Sequence, residues 1–216
     1  MATNPFASRF IRPGAVPFFF PAAGDAEEVI GRLRRHRWRG QIVGPHGSGK
    51  STLLATLQPL LEQAGCSVHR ATLHQGQRRL PRGFPRPIWR AGDSTPLLVV
   101  DGCEQLSRWR WWQLRWWVRR YRAGLLITTH RPLGLPSIWE TRVDEDLARR
   151  VVTYLLDRAD RDPSTQPTPV HLTSEEIGAA LLQAGGDLRE ALFRLYDVYA
   201  QRAAAPKRGC GAHPDR

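Results

Sequence analysis

The sequence predicts an α/β fold in which a doubly wound parallel sheet is followed by a small α-helical domain. Three observations predict it. Residues 97–100 and 125–127 are apolar runs typical of strands that are buried on both faces of a parallel sheet. Segments with helical periodicity alternate with such runs, which favours parallel strands joined by crossover helices. Beyond residue 143 the pattern is helical only, which indicates a second, smaller unit.

Local signals place each element. The segment 24–38 is predicted to be a helix, because it begins with acidic residues and ends with arginines, as the helix dipole favours. Leucines at helical spacing predict a second helix at 50–64, which contains Pro59. Two further helices open with capping-box spacing, at 173–176 and 187–190. The other predicted elements are strands at 41–43, 67–73, 97–101, 125–127 and 139–143, helices at 104–121 and 144–158, a loop at 75–96 and a linker at 160–170.

These elements divide the chain into four parts. At 216 residues the chain has room for one α/β domain of about 150 residues and a small appendage. Residues 1–23, rich in Pro, Phe and Gly, are expected to form an extended arm laid on the domain. Residues 24–143 are the predicted core, residues 144–202 the helical domain, and residues 203–216 a disordered tail.

Composition indicates a cytoplasmic, soluble protein. Hydrophobic residues make up 41% of the chain, enough for a packed core. Cys66, Cys103 and Cys210 form an odd set without metal-ligand spacing, and we interpret them as reduced thiols. No apolar run approaches the roughly 20 residues of a membrane span.

The net charge of +12 invites a nucleic-acid interpretation, but 30 of the 32 basic residues are Arg, a bias that GC-rich coding also produces. In the predicted helix at 104–122, arginines share one face, flanked by Trp111 and Trp112, where they can meet phosphates and bases. A solvated helix surface is the alternative, which we favour over DNA binding. The arginines of this face are Arg108, Arg115, Arg119 and Arg122. The residues predicted to face the core are Trp109, Leu114, Trp116, Trp117 and Val118.

A glycine-rich loop between the strand at 41–43 and the helix at 50–64 carries the clearest chemistry. Glycines permit a tight turn whose N–H groups surround a phosphate, and the following helix presents its positive N-terminus. Lys50 neutralises the β- and γ-phosphate oxygens, and the Ser51 hydroxyl is a ligand for Mg²⁺. The sequence therefore predicts a P-loop that binds ATP and Mg²⁺. Its nucleotide-binding residues are Gly44, Pro45, His46, Gly47, Ser48, Gly49, Lys50, Ser51 and Thr52.

Polar residues after the next core strands are candidates for the rest of an ATPase site. Asp101 ends an apolar strand, where a carboxylate orients Mg²⁺ through water. Glu104 is the nearest carboxylate able to orient the attacking water, although an acid in a first helical turn also serves the helix dipole. Thr128 and Thr129 end the following strand, where a hydroxyl can face the γ-phosphate or simply form a turn. The predicted metal ligands are Ser51 and Asp101, and the predicted catalytic residues are Lys50, Glu104 and Thr129.

The chain resembles the AAA+ superfamily of P-loop ATPases, especially its clamp-loader and replication-initiator branch and the transposition- and secretion-linked ATPases built like it. The resemblance covers most of residues 6–202. Besides the glycine loop, it rests on Gly-Asp-Leu-Arg-Glu-Ala-Leu at 186–192, similar to the lid motif of the family, and on Phe-Ile-Arg-Pro at 10–13, similar to a Tyr-Arg-Pro segment beside the adenine. It implies that residues 144–202 form a lid and that Arg189 is the sensor 2 arginine, a nucleotide-binding and catalytic residue.

Three features depart from the family pattern. Gly102 and Cys103 separate Asp101 from Glu104, whereas the family usually has Glu directly after the Asp. A proline-rich segment replaces a helix between the second and third strands, and Thr stands where sensor 1 is often Asn. The lid is also small, so the resemblance does not imply a ring.

Three functions fit the sequence. We predict an ATPase that hydrolyses ATP with Mg²⁺ to drive conformational change in a protein or nucleic-acid partner. The protein partner can be a second copy of the chain. A nucleotide-switched adaptor with little hydrolysis and a small-molecule kinase are the alternatives, and acceptor-dependent turnover would mark the kinase. The Asn-Lys-x-Asp motif of GTPases and the Leu-Ser-Gly-Gly-Gln signature of ABC ATPases do not occur.

Overall fold

The computed structural model describes residues 4–22, 24–84, 95–161 and 170–204. Its strands are β1 (Arg39–Val43), β2 (Cys66–Thr72), β3 (Thr95–Asp101), β4 (Gly124–Thr129) and β5 (Ser137–Glu140). They form one parallel sheet in the order β2-β3-β4-β1-β5. Because consecutive strands are joined by crossovers to both sides of β1, the predicted doubly wound α/β fold is confirmed.

Helices cover both faces of the sheet. The helices are α1 (Ser8–Ile11), α2 (Ala26–Arg35), α3 (Lys50–Gln63), α4 (Arg108–Arg120), α5 (Glu145–Asp160), α6 (Ser174–Gln183) and α7 (Leu188–Ala204). Adjacent strand residues point to opposite faces. Leu97 of β3 accordingly packs with α2 and α3, whereas Leu98 packs with Leu114 and Val118 of α4. The sheet is therefore buried between two helical layers.

The N-terminal segment and the last three helices share a separate hydrophobic cluster. Phe6 and Val16 are buried among α5, α6 and α7. The Phe6 ring meets Tyr199 of α7 edge-on, with 5.9 Å between centroids, and Phe19 meets Tyr154 of α5 at 5.7 Å. The arm that we expected to be extended contains the one-turn helix α1 and packs into this cluster, because its aromatic side chains find apolar partners there.

The helix predicted at 104–121 starts later than expected. Cys103–Gln105 form a single 3-10 turn, and Ser107 is extended, with φ −63° and ψ 151°. The Ser107 hydroxyl accepts a hydrogen bond from the Arg110 N–H, which caps α4. Glu104 therefore lies on a separate turn between β3 and α4 and not in the first turn of the helix.

The predicted orientation of Trp109 and Trp116 is wrong, because both side chains are exposed. Leu114 and Val118, four residues apart, form the narrow stripe that meets the sheet. Trp109 and Trp116 are seven residues apart and lie at least about 160° around the helix from that stripe. Trp111, expected on the exposed face, packs against the core beside the stripe.

Other predicted boundaries hold within a few residues. Pro59 lies inside α3 without ending it, and Thr173 and Glu176 form the predicted capping box at the start of α6. Parts of the predicted loop (85–94), linker (162–169) and tail (205–216, with Cys210) lie outside the described residues. No helix in the described part of the chain has the length and apolar character needed to cross a membrane.

Replacing Phe6 by Ala should destabilise the protein by about 3–5 kcal/mol, because a fully buried ring leaves a cavity in the helical cluster. Equilibrium unfolding in urea measures the change in the free energy of unfolding. Leu182→Ala is the control, since Leu182 is 83% exposed and its truncation should change this free energy by less than about 0.5 kcal/mol. Equal stability of Phe6→Ala and the parent would contradict a packed N-terminal segment.

Candidate nucleotide-binding site

The glycine loop joins β1 to α3 and has the backbone shape of a phosphate cradle. Gly47 and Gly49 have φ angles of +63° and +84°, which other residues rarely adopt. Gly49 is the N-cap of α3, and no described side chain caps that helix, so its first N–H groups are available to a phosphate. A Cβ on Gly44 would collide with the side chain of Thr141. The loop thus combines left-handed glycine turns with an uncapped helix N-terminus, as in a phosphate-binding loop, and Gly44 fits beside Thr141 only because it has no side chain.

Lys50 is the cationic group of this loop. Its Nζ donates hydrogen bonds to the carbonyl oxygens of Gly44 at 2.7 Å and Pro45 at 2.6 Å. Burial lowers the pKa of Lys50, and the nearby carboxylates oppose that shift, with Glu104 foremost. The ammonium therefore lies at the mouth of the cradle, where it can meet phosphate oxygens.

The other loop residues are fixed by their neighbours. The Ser48 hydroxyl lies 2.6 Å from that of Thr141, which ties the loop to the segment after β5. The His46 ring lies 3.6 Å from the ring of His130, centroid to centroid. The predicted binding residues that line the cavity beside the loop are His46, Gly47, Ser48, Gly49, Lys50, Ser51 and Thr52.

Asp101 ends β3 at the same edge of the sheet. Its Oδ1 accepts a hydrogen bond from the Thr128 hydroxyl at 2.6 Å, and its Oδ2 pairs with Arg70 Nη2 at 3.0 Å. Asp101 is 5% exposed and lines the same cavity as Ser51. Mg²⁺ is commonly held by one or two protein oxygens together with substrate phosphates. Ser51 and Asp101 fit that role, and no cluster of three acidic, His or Cys ligands occurs in the described ranges.

Glu104 reaches the cavity through the turn that follows Asp101. Gly102 has φ +79°, and a Cβ there would lie 2.6 Å from the Leu73 carbonyl oxygen, so only glycine permits this turn. Glu104 Oε1 lies 2.9 Å from His130 Nε2. Glu104 Oε2 is buried and has no hydrogen-bond partner among the described groups. One carboxylate oxygen is thus anchored and the other is free to accept a proton.

His130, which the sequence analysis did not single out, links Glu104 to the loop. Its Nδ1 lies 3.4 Å from Lys50 Nζ and 3.1 Å from the Gly44 carbonyl oxygen. Burial and the Lys50 ammonium lower the pKa of His130, while the Glu104 carboxylate opposes them. A neutral ring protonated at Nε2 donates to Glu104 and accepts at Nδ1 from Lys50, whereas only a ring protonated at Nδ1 would donate to the Gly44 carbonyl oxygen. The available sequence signal was a titratable residue directly after two strand-ending threonines.

Thr129, predicted as a catalytic residue, is directed away from the cavity. It is fully buried, and its hydroxyl donates to the Arg131 carbonyl oxygen at 2.7 Å, which closes the turn after β4. Thr128 instead lines the cavity, where its hydroxyl lies between Asp101 and the Gly102 N–H. Neighbouring strand residues face opposite sides, so only one of the two threonines can reach the site.

The helical domain closes the site from the other side. Arg189, in the first turn of α7, lines the cavity. The Asp187 carboxylate accepts a hydrogen bond from the Glu190 N–H at 3.1 Å and lies so close to the loop that a Cβ on Gly47 would collide with it. The start of α7 therefore rests on the phosphate cradle.

The cavity has a volume of about 850 Å³, at the large end of the range for small-molecule sites. Its polar part is the cradle with Asp101, Glu104 and Arg189. Its apolar part comes from the N-terminal segment and the helical domain, through Ile11, Val16, Phe18, Phe19, Val151 and Leu192. The cavity therefore combines one polar and one apolar part.

The geometry has counterparts among solved structures. A RuvB mutant from Thermotoga maritima superposes with a TM-score of 0.54 at 15% identity, over 81% of this chain and 60% of that one. A DNA replication initiation factor superposes with a TM-score of 0.56 at 16% identity, over 86% and 64%. A second T. maritima RuvB mutant gives 0.51 at 12% identity, over 81% and 58%.

These similarities concern the fold. No protein-family model and no curated protein matches the sequence. The chain spans about three-fifths of the length of the structures that it matches. The superpositions cover 81–86% of this chain. The chain therefore shares the fold of these structures, which is the α/β sheet with C-terminal helices that the sequence predicts.

Proposed function

We propose that the protein is an ATPase that binds ATP with Mg²⁺ and hydrolyses it. The observation that carries the proposal is the convergence of Lys50, Asp101 and Glu104 on the cavity beside the glycine loop. Phosphoryl transfer needs charge neutralisation, a metal position and a group that orients water, and these three side chains supply one each.

The position of each residue in the cavity suggests its role. The loop N–H groups and Lys50 hold the phosphates, and Ser51 and Asp101 hold the metal, which neutralises charge on the phosphate oxygens when it is bound. The apolar part of the cavity accepts the base. Arg189 approaches from α7, opposite the loop, where it can meet the terminal phosphate.

Glu104 acts as the base that orients the attacking water. The anchored Oε1 fixes the carboxylate through His130, and the unpartnered Oε2 takes the proton. The displacement of Glu104 from Asp101 is compatible with this role, because the left-handed turn at Gly102 folds the chain back toward the cavity. Hydrolysis is therefore favoured over a nucleotide-switched adaptor.

The energy of hydrolysis would drive conformational change in a partner. One structural neighbour is a DNA replication initiation factor, which supports a nucleic-acid or protein partner. The free thiols of Cys66 and Cys103 support a reducing, cytoplasmic setting.

Glu104→Gln should retain ATP affinity and lower steady-state turnover by about 100-fold or more, because the amide cannot accept the proton. Phosphate release measures turnover, and fluorescent-ATP titration measures affinity. Glu62→Gln, on the exposed side of α3, is the matched control and should behave as the parent. A parent without turnover would identify a nucleotide-switched adaptor, and turnover only with an added acceptor would identify a kinase.

Arg189→Ala should weaken ATP binding about 10- to 100-fold and leave ADP binding unchanged, because a lost charge-assisted hydrogen bond of about 1.5–3 kcal/mol concerns only the γ-phosphate. Titration with each nucleotide measures both affinities. Arg194→Ala is the control, since Arg194 lies on the same helix but bonds Gln183. Equal losses for ATP and ADP would assign Arg189 a structural role.

Turnover should fall as the pH drops below the ordinary His pKa of about 6.5. The lowered pKa of His130 keeps the ring neutral at pH 7, and protonation would place a second cation against Lys50 and weaken Glu104 as a base. His130→Gln, whose amide can still donate to Glu104, should remove this acid limb. Identical pH profiles of the two proteins would exclude His130 as its source.

A further inference from the structure

Tryptophans line the outer face of α4. Trp109, Trp112 and Trp116 are 66%, 57% and 50% exposed, although large aromatic side chains are mostly buried in folded proteins. Spacings of three and four residues place them on one side of the helix, away from the stripe that meets the sheet. We call these three residues the tryptophan face.

Uncompensated positive charge surrounds the tryptophan face. Arg108, Arg119 and Arg120 are exposed, and none of them forms a salt bridge with a described carboxylate. The sequence from 105 to 139 contains seven Arg and no Asp or Glu. Charge complementarity therefore favours an anionic partner.

The indoles are ordered in a way that suits flat ligands. Trp109 and Trp112 stack with 5.2 Å between centroids and 22° between planes, and each residue remains more than half exposed. Arg115 Cζ lies over the Trp111 ring, 5.7 Å from its centroid, so a guanidinium already contacts an indole on this helix. Successive bases of a single strand stack on such aromatic platforms while arginines contact the backbone.

Other anionic partners fit less well. A helix that lies on a membrane surface usually presents Leu or Phe beside Trp, and no aliphatic side chain of α4 is exposed. Duplex DNA hides the faces of its bases, so it would leave the indoles without stacking partners. The combination of open indole faces and unpaired arginines favours unpaired bases joined by phosphates.

We propose that the tryptophan face of α4 binds single-stranded nucleic acid. Bases stack on the indoles, and the flanking arginines meet the phosphates. The surface lies outside the ATP cavity, and the inference stands independently of ATP hydrolysis. α4 begins three residues after the turn that carries Glu104. Nucleic acid bound to this helix would therefore lie next to the turn that positions the Glu104 carboxylate.

The test is fluorescence anisotropy with a labelled oligothymidine of about 20 nucleotides, long enough to cover the face. Replacement of Trp109, Trp112 and Trp116 by Ala should weaken binding by about 100-fold or more, because each stacked base contributes about fivefold or more. Tyr196→Ala is the matched control, since Tyr196 is an exposed aromatic residue on α7. Because the three tryptophans are exposed, ATP affinity should be unchanged.

A charge variant tests the same surface independently of the tryptophans. Arg119→Gln with Arg120→Gln should weaken binding and reduce the slope of log affinity against log salt by about 1.4, since each single-strand phosphate contact contributes about 0.7. Arg142→Gln with Arg149→Gln, at exposed and salt-bridged positions, is the control. If the triple Ala variant does not fold, the charge variant decides the matter.

Three results would overturn the proposal. The first is equal oligonucleotide affinity in the parent and the tryptophan variant. The second is no binding by the parent at low salt. The third is tryptophan-dependent binding to phosphatidylglycerol vesicles, or to an acidic protein, without binding to the oligonucleotide.

Discussion

Parallel pairing of β1 and β3 with β4 is the constraint on which the site depends. It brings the carboxyl ends of three strands to one edge of the sheet. Gly44 directly follows β1, Asp101 is the last residue of β3, and Thr128 is the residue before the last one of β4. Parallel strands need long crossovers, so these residues are far apart in sequence and meet only when the sheet forms. A one-residue slip of β3 would turn Asp101 to the other face and dismantle the site.

Most charged groups of the site already have partners within the protein. Asp101 is satisfied by Thr128 and Arg70, and the Lys50 ammonium by two loop carbonyls. A buried ionised group is costly unless it is paired, so these contacts let the charges remain near the sheet. Two buried atoms of charged side chains lack a partner in the described part of the chain, Arg39 Nε at the start of β1 and Glu104 Oε2, and only Glu104 lines the cavity. An unsatisfied group in a cavity is typical of a chemical role.

The sequence was sufficient wherever the signal was local. The apolar strands, the glycine loop and the position of Asp101 at the end of a strand follow from patterns a few residues long. The His130–Glu104 pair was not predictable, because it joins the ends of two different strands. Phe6 was placed in an extended arm because its partner Tyr199 lies at the other end of the chain. The sequence also did not show which of Thr128 and Thr129 enters the cavity. That depends on which face of the sheet each side chain occupies, and a shift of one residue in the strand pairing exchanges the two faces.

The close approach of Asp187 to Gly47 places a carboxylate at the tip of the loop, where a bound phosphate would add like charge. Asp187 directly precedes α7, whose 17 residues span about 25 Å. The N-terminal segment is attached to the same helix, because Asn4 donates to the Tyr196 carbonyl and Phe6 packs on Tyr199. A continuous chain of contacts therefore joins the glycine loop, α7 and the N-terminal segment.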